Sequence, residues 1–569
     1  MLETQPMSRS GVDPITAEVI KSSLIYASEE MGIAVRNAAY SPNIKERLDH
    51  SCAIFDRQGR LIAQAEHIPV HLGSLPWGIR QTLRALEARE RTMEPGEMWI
   101  LNDPYISGTH LNDITVIRPI FVREGVPLPL HIGYAASKAH HTDVGGSVPG
   151  SMSATAPELF AEGLIIAPMR LMIDDRVNEE TVALIRGNSR TPEARSGDLK
   201  AQIAGNVTGE RRVLELIARY GVATFDAAIE RILDESERRM RAALRAFGDR
   251  EVFVEDVLEP PETDGELLHL RARVRTRDGT IDVDFDGTDP QVPFPINAVL
   301  GVTLSGVHYV IRAATDPTIP MNEGCFRPVE ARAPLGSLLN PRRPAPVAGG
   351  NVETAQRICD VMLRAFAQLA PAKMPALSNG TMSNVMCGGQ TNDGPAWAFY
   401  ETNGGGMGAR PNADGIDGIH THMTNTLNTP IEAMERYLPI RMTRYEFEPD
   451  TGGNGTFRGG SALVRSFELL EGSARLSLLA ERQRVAPSGV QGGADGACGK
   501  HTLRRADGTE RVLPAKTTVD LRPGDEVIVQ TPGGGGYGDP SKRDPRARDR
   551  DRRNGLVTEP FQMPEAVAD

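Results

Sequence analysis

The chain has 569 residues, of which 40% are hydrophobic and 24% charged, so it is long enough for several domains and is not globally disordered. Its formal net charge of −12 argues against a nucleic-acid-binding protein, which needs a basic face to displace counterions. The five cysteines are scattered without a CxxC pair, which argues against a disulfide framework and favours a cytoplasmic location. We expect neither a signal peptide nor a membrane span, because no apolar run approaches the roughly 18 residues that cross a bilayer.

The first half of the chain predicts alternating helices and strands. After a tail at residues 1–12, Asp13 and Pro14 predict a helix start, because Asp is a preferred N-cap and Pro is favoured at the first helical position. The hydrophobic spacing then predicts the remaining elements. They are a hairpin at 52–56 and 60–64, a helix at 75–88, strands at 98–101, 114–121 and 130–136, a loop or lid at 150–160, and helices at 177–250.

The second half is richer in strands and glycine. Period-two alternation predicts strands from residue 251, and two helices interrupt them at 297–314 and 349–370. The sequence therefore predicts a mixed α/β (α+β) fold with a metal-bearing N-terminal half and a strand-rich C-terminal half. The expected domains are an α/β region at 13–250, a strand-rich middle region at 251–375, a Gly-rich β region at 376–540 and a mobile tail at 541–569.

Histidines and aspartates cluster at the ends of predicted strands. His110 and Asp113 are three residues apart, a spacing that lets both side chains meet on one turn. His140 and His141 follow another strand, and Asp49 precedes a third. Two histidines and two carboxylates suit Zn or Mn, although spacing alone leaves a structural role equally open. Adjacent residues on an extended chain point opposite ways, so we expect only one of His140 and His141 to bind metal, and the other to contact substrate, support a ligand or act as a base.

Two further histidine pairs are candidates for contacts with substrate. His67 and His71 are four residues apart, but Pro69 argues against a regular helix, and packing of a loop under the site is the alternative. His420 and His422 point the same way if extended, and a glycine-rich loop with exposed histidines is the alternative there. We take His71 and His422 as the candidate substrate-binding residues.

No convincing nucleotide site is present in the sequence. The stretch GGADGACGKH (492–501) resembles a phosphate loop, but its spacing is one residue too long and His501 replaces the Ser or Thr that would hold magnesium. The stretch TPGGGGYGD (531–539) lacks the lysine. We therefore predict no ATP site in this chain.

Several long motifs, spread over nearly the whole chain, resemble the hydantoinase B/oxoprolinase family. That family includes the B-type subunits of ATP-dependent hydantoinases and N-methylhydantoinases, the C-terminal half of 5-oxoprolinase, lactam hydrolases, and subunits of acetone and acetophenone carboxylases. The motifs are ERLDHSCAIFD (46–56), HIPVHLGS (67–74), LNDPYISGTHLND (101–113), KAHHTDVGG (138–146), GGNVETAQRI (349–358), HMTNTLNTPIEAME (422–435) and TPGGGGYGDP (531–540).

The resemblance implies an ATP-hydrolysing amidohydrolase made of two kinds of subunit, several copies of each. A hydantoinase A-type partner binds ATP and Mg and phosphorylates the carbonyl oxygen of a small cyclic amide, and the B-type subunit holds a divalent metal, Zn or Mn, and opens the ring. The family's ligands match Asp49, His110, Asp113 and one of His140 and His141, and we assign His140. A water activated by the metal would then attack the carbon, with His141 or Asp143 taking the proton.

The same family leaves two other functions open. A carboxylase subunit would join an enolate to CO2 at the metal, and a bicarbonate requirement would reveal it. A scaffold that only stabilises the A-type partner would need no metal.

Overall fold

A computed structural model describes residues 11–65, 67–392, 394 and 396–558. The expected tails at 1–12 and 541–569 lie partly outside these residues. The chain divides into two compact units. Unit 1 comprises Met1–Ser151, Ala156–Phe253 and Ala272–Asn351, and unit 2 comprises Met152–Thr155, Val254–Arg271 and Val352–Asp569.

Helices and strands alternate through the first part of the chain. The helices are α1 (Pro14–Ala38), α2 (Pro42–Lys45), α3 (His71–Glu87), α4 (Pro104–Ser107), α5 (Glu179–Gly187), α6 (Pro192–Tyr220), α7 (Val222–Arg245), α8 (Leu300–Ala314) and α9 (Glu323–Phe326). The strands are β1 (His50–Asp56), β2 (Leu61–Gln64), β3 (Met98–Leu101), β4 (Asp113–Val122), β5 (Leu130–His140), β6 (Met169–Ile173), β7 (Arg176–Val177), β8 (Arg250–Leu258), β9 (Leu268–Arg277), β10 (Thr280–Asp284) and β11 (Val329–Arg332).

A seven-stranded antiparallel sheet in the order β2-β1-β5-β4-β3-β6-β7 forms the centre of unit 1. Alternate residues of β1 face opposite sides of it, as a strand requires. Ile54 packs in the core that contains residues of α1, α6 and α7, whereas Phe55 packs in the core that contains Leu75 and Ile79 of α3. The sheet is therefore covered by helices on both faces, and its buried strands read as nearly continuous apolar runs.

Most elements follow the sequence, and two bounds next to the predicted ligands differ by four residues. The Asp13 side chain accepts hydrogen bonds from the amides of Ile15 and Thr16, which confirms the predicted cap of α1. The helix predicted from residue 75 begins at His71 and contains Pro76. Strand β5 continues to His140 instead of ending at residue 136, because its last residues remain paired with both β1 and β4.

Unit 2 contains the predicted glycine-rich strands, and the mixed α/β fold class is confirmed. A π-helical turn (Gly350–Thr354) leads into α10 (Ala355–Leu369). Together they cover the helix predicted at 349–370. The other elements are β12 (Asn384–Gln390), β13 (Ala396–Glu401), α11 (Ile431–Tyr437), β14 (Ile440–Glu448), β15 (Ala462–Leu469), β16 (Ser473–Leu479), β17 (Lys500–Arg504), β18 (Glu510–Leu513), β19 (Lys516–Leu521), β20 (Glu526–Gln530) and α12 (Pro545–Arg553).

Two antiparallel sheets, β13-β12-β16-β19 and β14-β15-β20-β17-β18, contribute to one apolar core in unit 2. Beyond β20 the chain is packed as far as α12, where Asp551 is buried and pairs with Arg543. Mobility of this tail stays a prediction. Over the part of the chain that the structure describes, no helix is both long and apolar enough to cross a membrane.

Candidate metal centre

Two strands and one tight turn bring three predicted ligands together. Asp113 is the first residue of β4 and His140 is the last residue of β5, and the two are directly paired across the strands. His110 lies in the turn between α4 and β4. Gly108 ends α4 with a φ of 85°, a conformation that a residue with a Cβ rarely adopts, and the turn carries His110 back over the strand ends.

The three side chains meet in a compact, buried group. His110 Nε2 lies 2.9 Å from Asp113 Oδ1 and 3.1 Å from His140 Nδ1, and His140 Nδ1 lies 3.3 Å from Asp113 Oδ1. Each of the three residues is at most 2% exposed. Ligand atoms about 2.1 Å from a shared metal are separated by about 3.0–3.4 Å, so these spacings fit one ion. Among the described residues, this is the only such group of three His, Cys, Asp or Glu side chains.

Hydrogen bonding fixes which atom of His110 is available as a ligand. His110 Nδ1 lies 3.3 Å from the carbonyl oxygen of Ala348, which can only accept, so Nδ1 carries the proton. His110 Nε2 therefore faces an oxygen of Asp113 and Nδ1 of His140. Two nitrogens with one carboxylate oxygen suit Zn or Mn. The residues therefore fit a divalent metal.

The second oxygen of Asp113 is held by protein donors. His71 Nε2 lies 3.3 Å from Asp113 Oδ2, and Asn351 Nδ2 donates to the same oxygen over 3.4 Å. Since a carboxylate only accepts, His71 Nε2 carries the proton, and the Ser51 hydroxyl 2.8 Å away donates to His71 Nδ1. Burial alone would raise the pKa of Asp113, but His110, His140 and His71 hold it well below the usual range. His71, predicted to contact substrate, contacts Asp113, one of the candidate metal ligands.

Asp49 and Lys138 lie beside the group. The Asp49 carbonyl accepts a 3.0 Å hydrogen bond from the His140 amide, and its carboxylate counteracts the lowering of the His140 pKa by burial. Lys138 lies two residues before His140 on the same strand face and donates to Ser107 O and Thr109 Oγ1 over 2.8 and 3.1 Å. Burial lowers the pKa of Lys138 to about 7. Lys138 thus ties β5 to the turn that carries His110.

The side chains of His141 and Asp143 contact residues outside the three-residue group. His141 points to the opposite face of the sheet, where its Nε2 lies 2.9 Å from Gln202 Oε1 of α6, and burial lowers its pKa to about 3. Asp143 accepts hydrogen bonds from the backbone amides of Gly145, Gly150 and Arg190. It also accepts one from the Arg190 guanidinium. The structure does not bring either side chain into the three-residue group, and their catalytic roles stay a prediction.

His422 belongs to unit 2, in the loop between β13 and α11. Its φ is 54°, unusual for a residue with a side chain, and burial lowers its pKa to about 4. Its role as a substrate contact stays a prediction.

Sequence reasoning missed several supporting residues. Lys138 could have been found, because it lies two residues before His140 on one strand and therefore shares its face. Ser51 and Asn351 act through contacts between segments far apart in the chain, for which no local pattern exists.

The model of the family described as hydantoinase B/oxoprolinase matches residues 13–540 of this chain. An uncharacterized protein of Methanocaldococcus jannaschii is 47% identical over 94% of this chain and 92% of its own length. Arabidopsis thaliana 5-oxoprolinase 1 is 34% identical over 94% of this chain, which spans only 42% of that protein. A Pseudomonas protein provisionally named as the B component of a D-/L-hydantoinase is 31% identical over 96% of this chain and 93% of its own.

Solved structures extend the comparison. The ATP-dependent caprolactamase of Pseudomonas jessenii superposes with a TM-score of 0.89 at 30% identity, over 96% of this chain and 95% of that chain. A nucleotide-free acetone carboxylase superposes with a TM-score of 0.84 at 20% identity, over 96% of this chain and 78% of that chain, which shows a shared fold.

Proposed function

Because this chain belongs to the hydantoinase B/oxoprolinase family, we propose that it is the metal-holding subunit of an ATP-dependent enzyme that hydrolyses cyclic amides. The observation that carries the proposal is the buried group of His110, Asp113 and His140, whose ligand atoms lie 2.9–3.3 Å from one another. Two imidazole nitrogens and one carboxylate oxygen at these distances form a ligand set for a divalent metal.

The chain's residues have distinct roles in this proposal. His110 Nε2, His140 Nδ1 and Asp113 Oδ1 would hold the metal, and Asp49 is the predicted fourth ligand. A divalent metal bound there lowers the pKa of water towards neutrality and polarises a carbonyl or phosphoryl oxygen. His71 keeps Asp113 Oδ2 engaged, so that Oδ1 alone is directed at the metal. The proton is taken by His141 or Asp143 in the sequence prediction, although the contacts of both favour supporting roles.

ATP is used on a partner subunit. The relatives support this arrangement, because one is named an ATP-dependent caprolactamase and another is named as one component of a hydantoinase, while this chain spans under half of 5-oxoprolinase. The partner phosphorylates the carbonyl oxygen of the cyclic amide. One water then adds to the same carbon and the ring C–N bond breaks, with the ring nitrogen taking the protons of that water, which leaves an acyl phosphate. A second water hydrolyses the acyl phosphate to a carboxylate and phosphate. Resonance protects an ordinary amide from this attack, and phosphorylation removes that protection.

The test is co-expression with an A-type partner, followed by a ring-opening assay with hydantoin, 5-oxoproline and caprolactam in the presence of ATP and Mg. We expect turnover of at least one substrate by the wild type, and none by His110→Ala, while ATP hydrolysis by the partner survives in part. His131→Ala, a partly buried histidine that lies 3.1 Å from Gly133 O, is the matched control. Full turnover by His110→Ala, or product that forms only with bicarbonate, would contradict the proposal.

A further inference from the structure

A buried carboxylate that belongs to none of the motifs lies behind His110. Glu162 follows a short 3-10 helix, Leu159–Ala161, and is 1% exposed. Its Oε1 accepts hydrogen bonds from the amides of Val347 and Ala348, over 2.8 and 2.9 Å. The carbonyl of the same Ala348 receives the Nδ1 proton of His110. Glu162 Oε1 therefore holds Ala348, whose carbonyl oxygen orients His110.

The rest of the 345–348 segment is held in a similar way, but at greater distance from the ligand. The Tyr105 hydroxyl donates to Ala345 O over 2.9 Å, and Asn297 Nδ2 donates to Pro346 O over 2.8 Å. Glu162 engages the two peptides nearest to His110. Without it, both amides would remain buried and unpaired, which favours a shift of the segment.

Both oxygens of the Glu162 side chain lie in the interior of unit 1. Glu162 Oε2 is buried and has no hydrogen-bond partner among the described residues. Burial raises the pKa of Glu162 to about 8. The two amide hydrogen bonds to Oε1 and the burial of Oε2 hold the carboxyl group in one orientation behind Ala348.

We propose that Glu162 is a positioning residue of the metal centre, which acts through the peptide of Ala348 to set the orientation and tautomer of His110. The inference rests on the proposed metal-holding function. It assigns Glu162 no contact with the metal or with substrate. Partners of this kind, one step removed from the ligand, typically change metal affinity by about 10–100-fold when they are removed.

The test is the Zn affinity of the purified full-length chain, measured by competition with a chromophoric chelator. We expect Glu162→Ala to weaken Zn binding about 10–100-fold, because both amides lose their acceptor. Glu162→Gln keeps an acceptor oxygen and places its amide group at the unpaired Oε2 position, so we expect affinity within about threefold of the wild type. Glu97→Ala is the matched control, because Glu97 is also buried and accepts from the Glu94 amide and from Trp99, neither of which is a hydrogen-bond partner of His110.

A second readout separates positioning from stability. The absorption bands of bound Co2+ respond to ligand geometry, so they should change in Glu162→Ala and stay unchanged in Glu97→Ala even if both variants melt at lower temperature. If Glu162→Ala does not fold, Glu162→Asp replaces it, because the shorter Asp side chain cannot reach both amides. We expect Glu162→Asp to bind Zn at least about fivefold more weakly, which corresponds to the loss of one hydrogen bond outside the metal ligands.

The outcomes are distinguishable. Wild-type Zn affinity in Glu162→Ala, with loss of Zn in His110→Ala, overturns the positioning role and leaves the metal centre intact. Wild-type affinity in His110→Ala overturns both the metal centre and the positioning role.

Discussion

Asp113 and His140 are direct cross-strand neighbours, at the first residue of β4 and the last residue of β5, with Asp113 Oδ1 and His140 Nδ1 3.3 Å apart. Both side chains lie on the face of the sheet that α3 covers. Neighbouring strands hold paired side chains about 5 Å apart at their Cβ atoms, so the backbone itself sets their separation. Two of the three residues of the centre therefore lie on paired strands, and only His110 is supplied by a turn.

His140 and His141 are adjacent in sequence but face opposite sides of the sheet, which makes them a matched pair for mutation. We expect His140→Ala to weaken metal binding by more than about 100-fold, because a ligand is lost. His141→Ala should retain the metal, since this side chain contacts Gln202 of α6. The measurement is metal affinity in parallel titrations. Equal loss in the two variants would contradict the assignment of His140.

His71→Ala distinguishes a supporting role from contact with substrate. Removing the donor to Asp113 Oδ2 should weaken metal binding about 10–100-fold, because the carboxylate gains freedom to turn. A substrate contact would instead leave metal affinity unchanged and raise KM. His131→Ala controls for loss of a partly buried imidazole. Metal affinity and KM measured on the same preparations decide between the two roles.

The buried ion network of unit 2 depends on Arg482. Its guanidinium lies 2.9 Å from Asp256 Oδ2 and 2.5 Å from Asp360 Oδ2, with all three side chains at most 2% exposed. Arg482→Met should lower the free energy of unfolding by about 3–5 kcal/mol, since it removes one cation from a buried network in which Asp256 and Asp360 keep only Arg364 and Arg357 among the described residues. Arg475→Met, which breaks a solvent-exposed pair with Asp520, should cost about 0–1 kcal/mol. The free energy of unfolding of both variants is measured in urea. Similar losses of stability in the two variants would contradict the prediction.

The raised pKa of the buried Glu353 side chain predicts that the stability of the protein depends on pH. Burial raises its pKa from 4.5 to about 8, with Glu481 raising it further and Lys516 opposing. The folded state therefore holds the proton more tightly than the unfolded state. Its contribution to stability is complete below about pH 4.5 and is lost as pH rises to about 8, with a slope of at most about 1.4 kcal/mol per pH unit.

Glu353→Gln should remove this slope, so that the variant gains stability relative to the wild type as pH rises from 5 to 8. Unfolding free energies at four pH values test the prediction. Glu193→Gln, at an exposed side chain, is the control. A constant difference between the Glu353 variant and the wild type across this range would show that the carboxyl group does not titrate there.

The sequence predicted the three central residues because their signals are local. His110 and Asp113 share one turn, and strand alternation separates His140 from His141. His71 was assigned to substrate because Pro69 concealed the helix start, whereas α3 begins at His71 and directs its ring at Asp113. Glu162 could not be predicted, because its partners Val347 and Ala348 are 185 and 186 residues away in the chain. Such contacts arise from tertiary packing and leave no periodic pattern.

The most direct test of the account is the metal content of the purified chain, with wild type beside His110→Ala, by elemental analysis. The account predicts about one Zn or Mn per wild-type chain, from a single group of ligands, and its loss in the variant. A wild type that contains no stoichiometric metal even when purified with its partner, or a variant that retains the full amount, would contradict it.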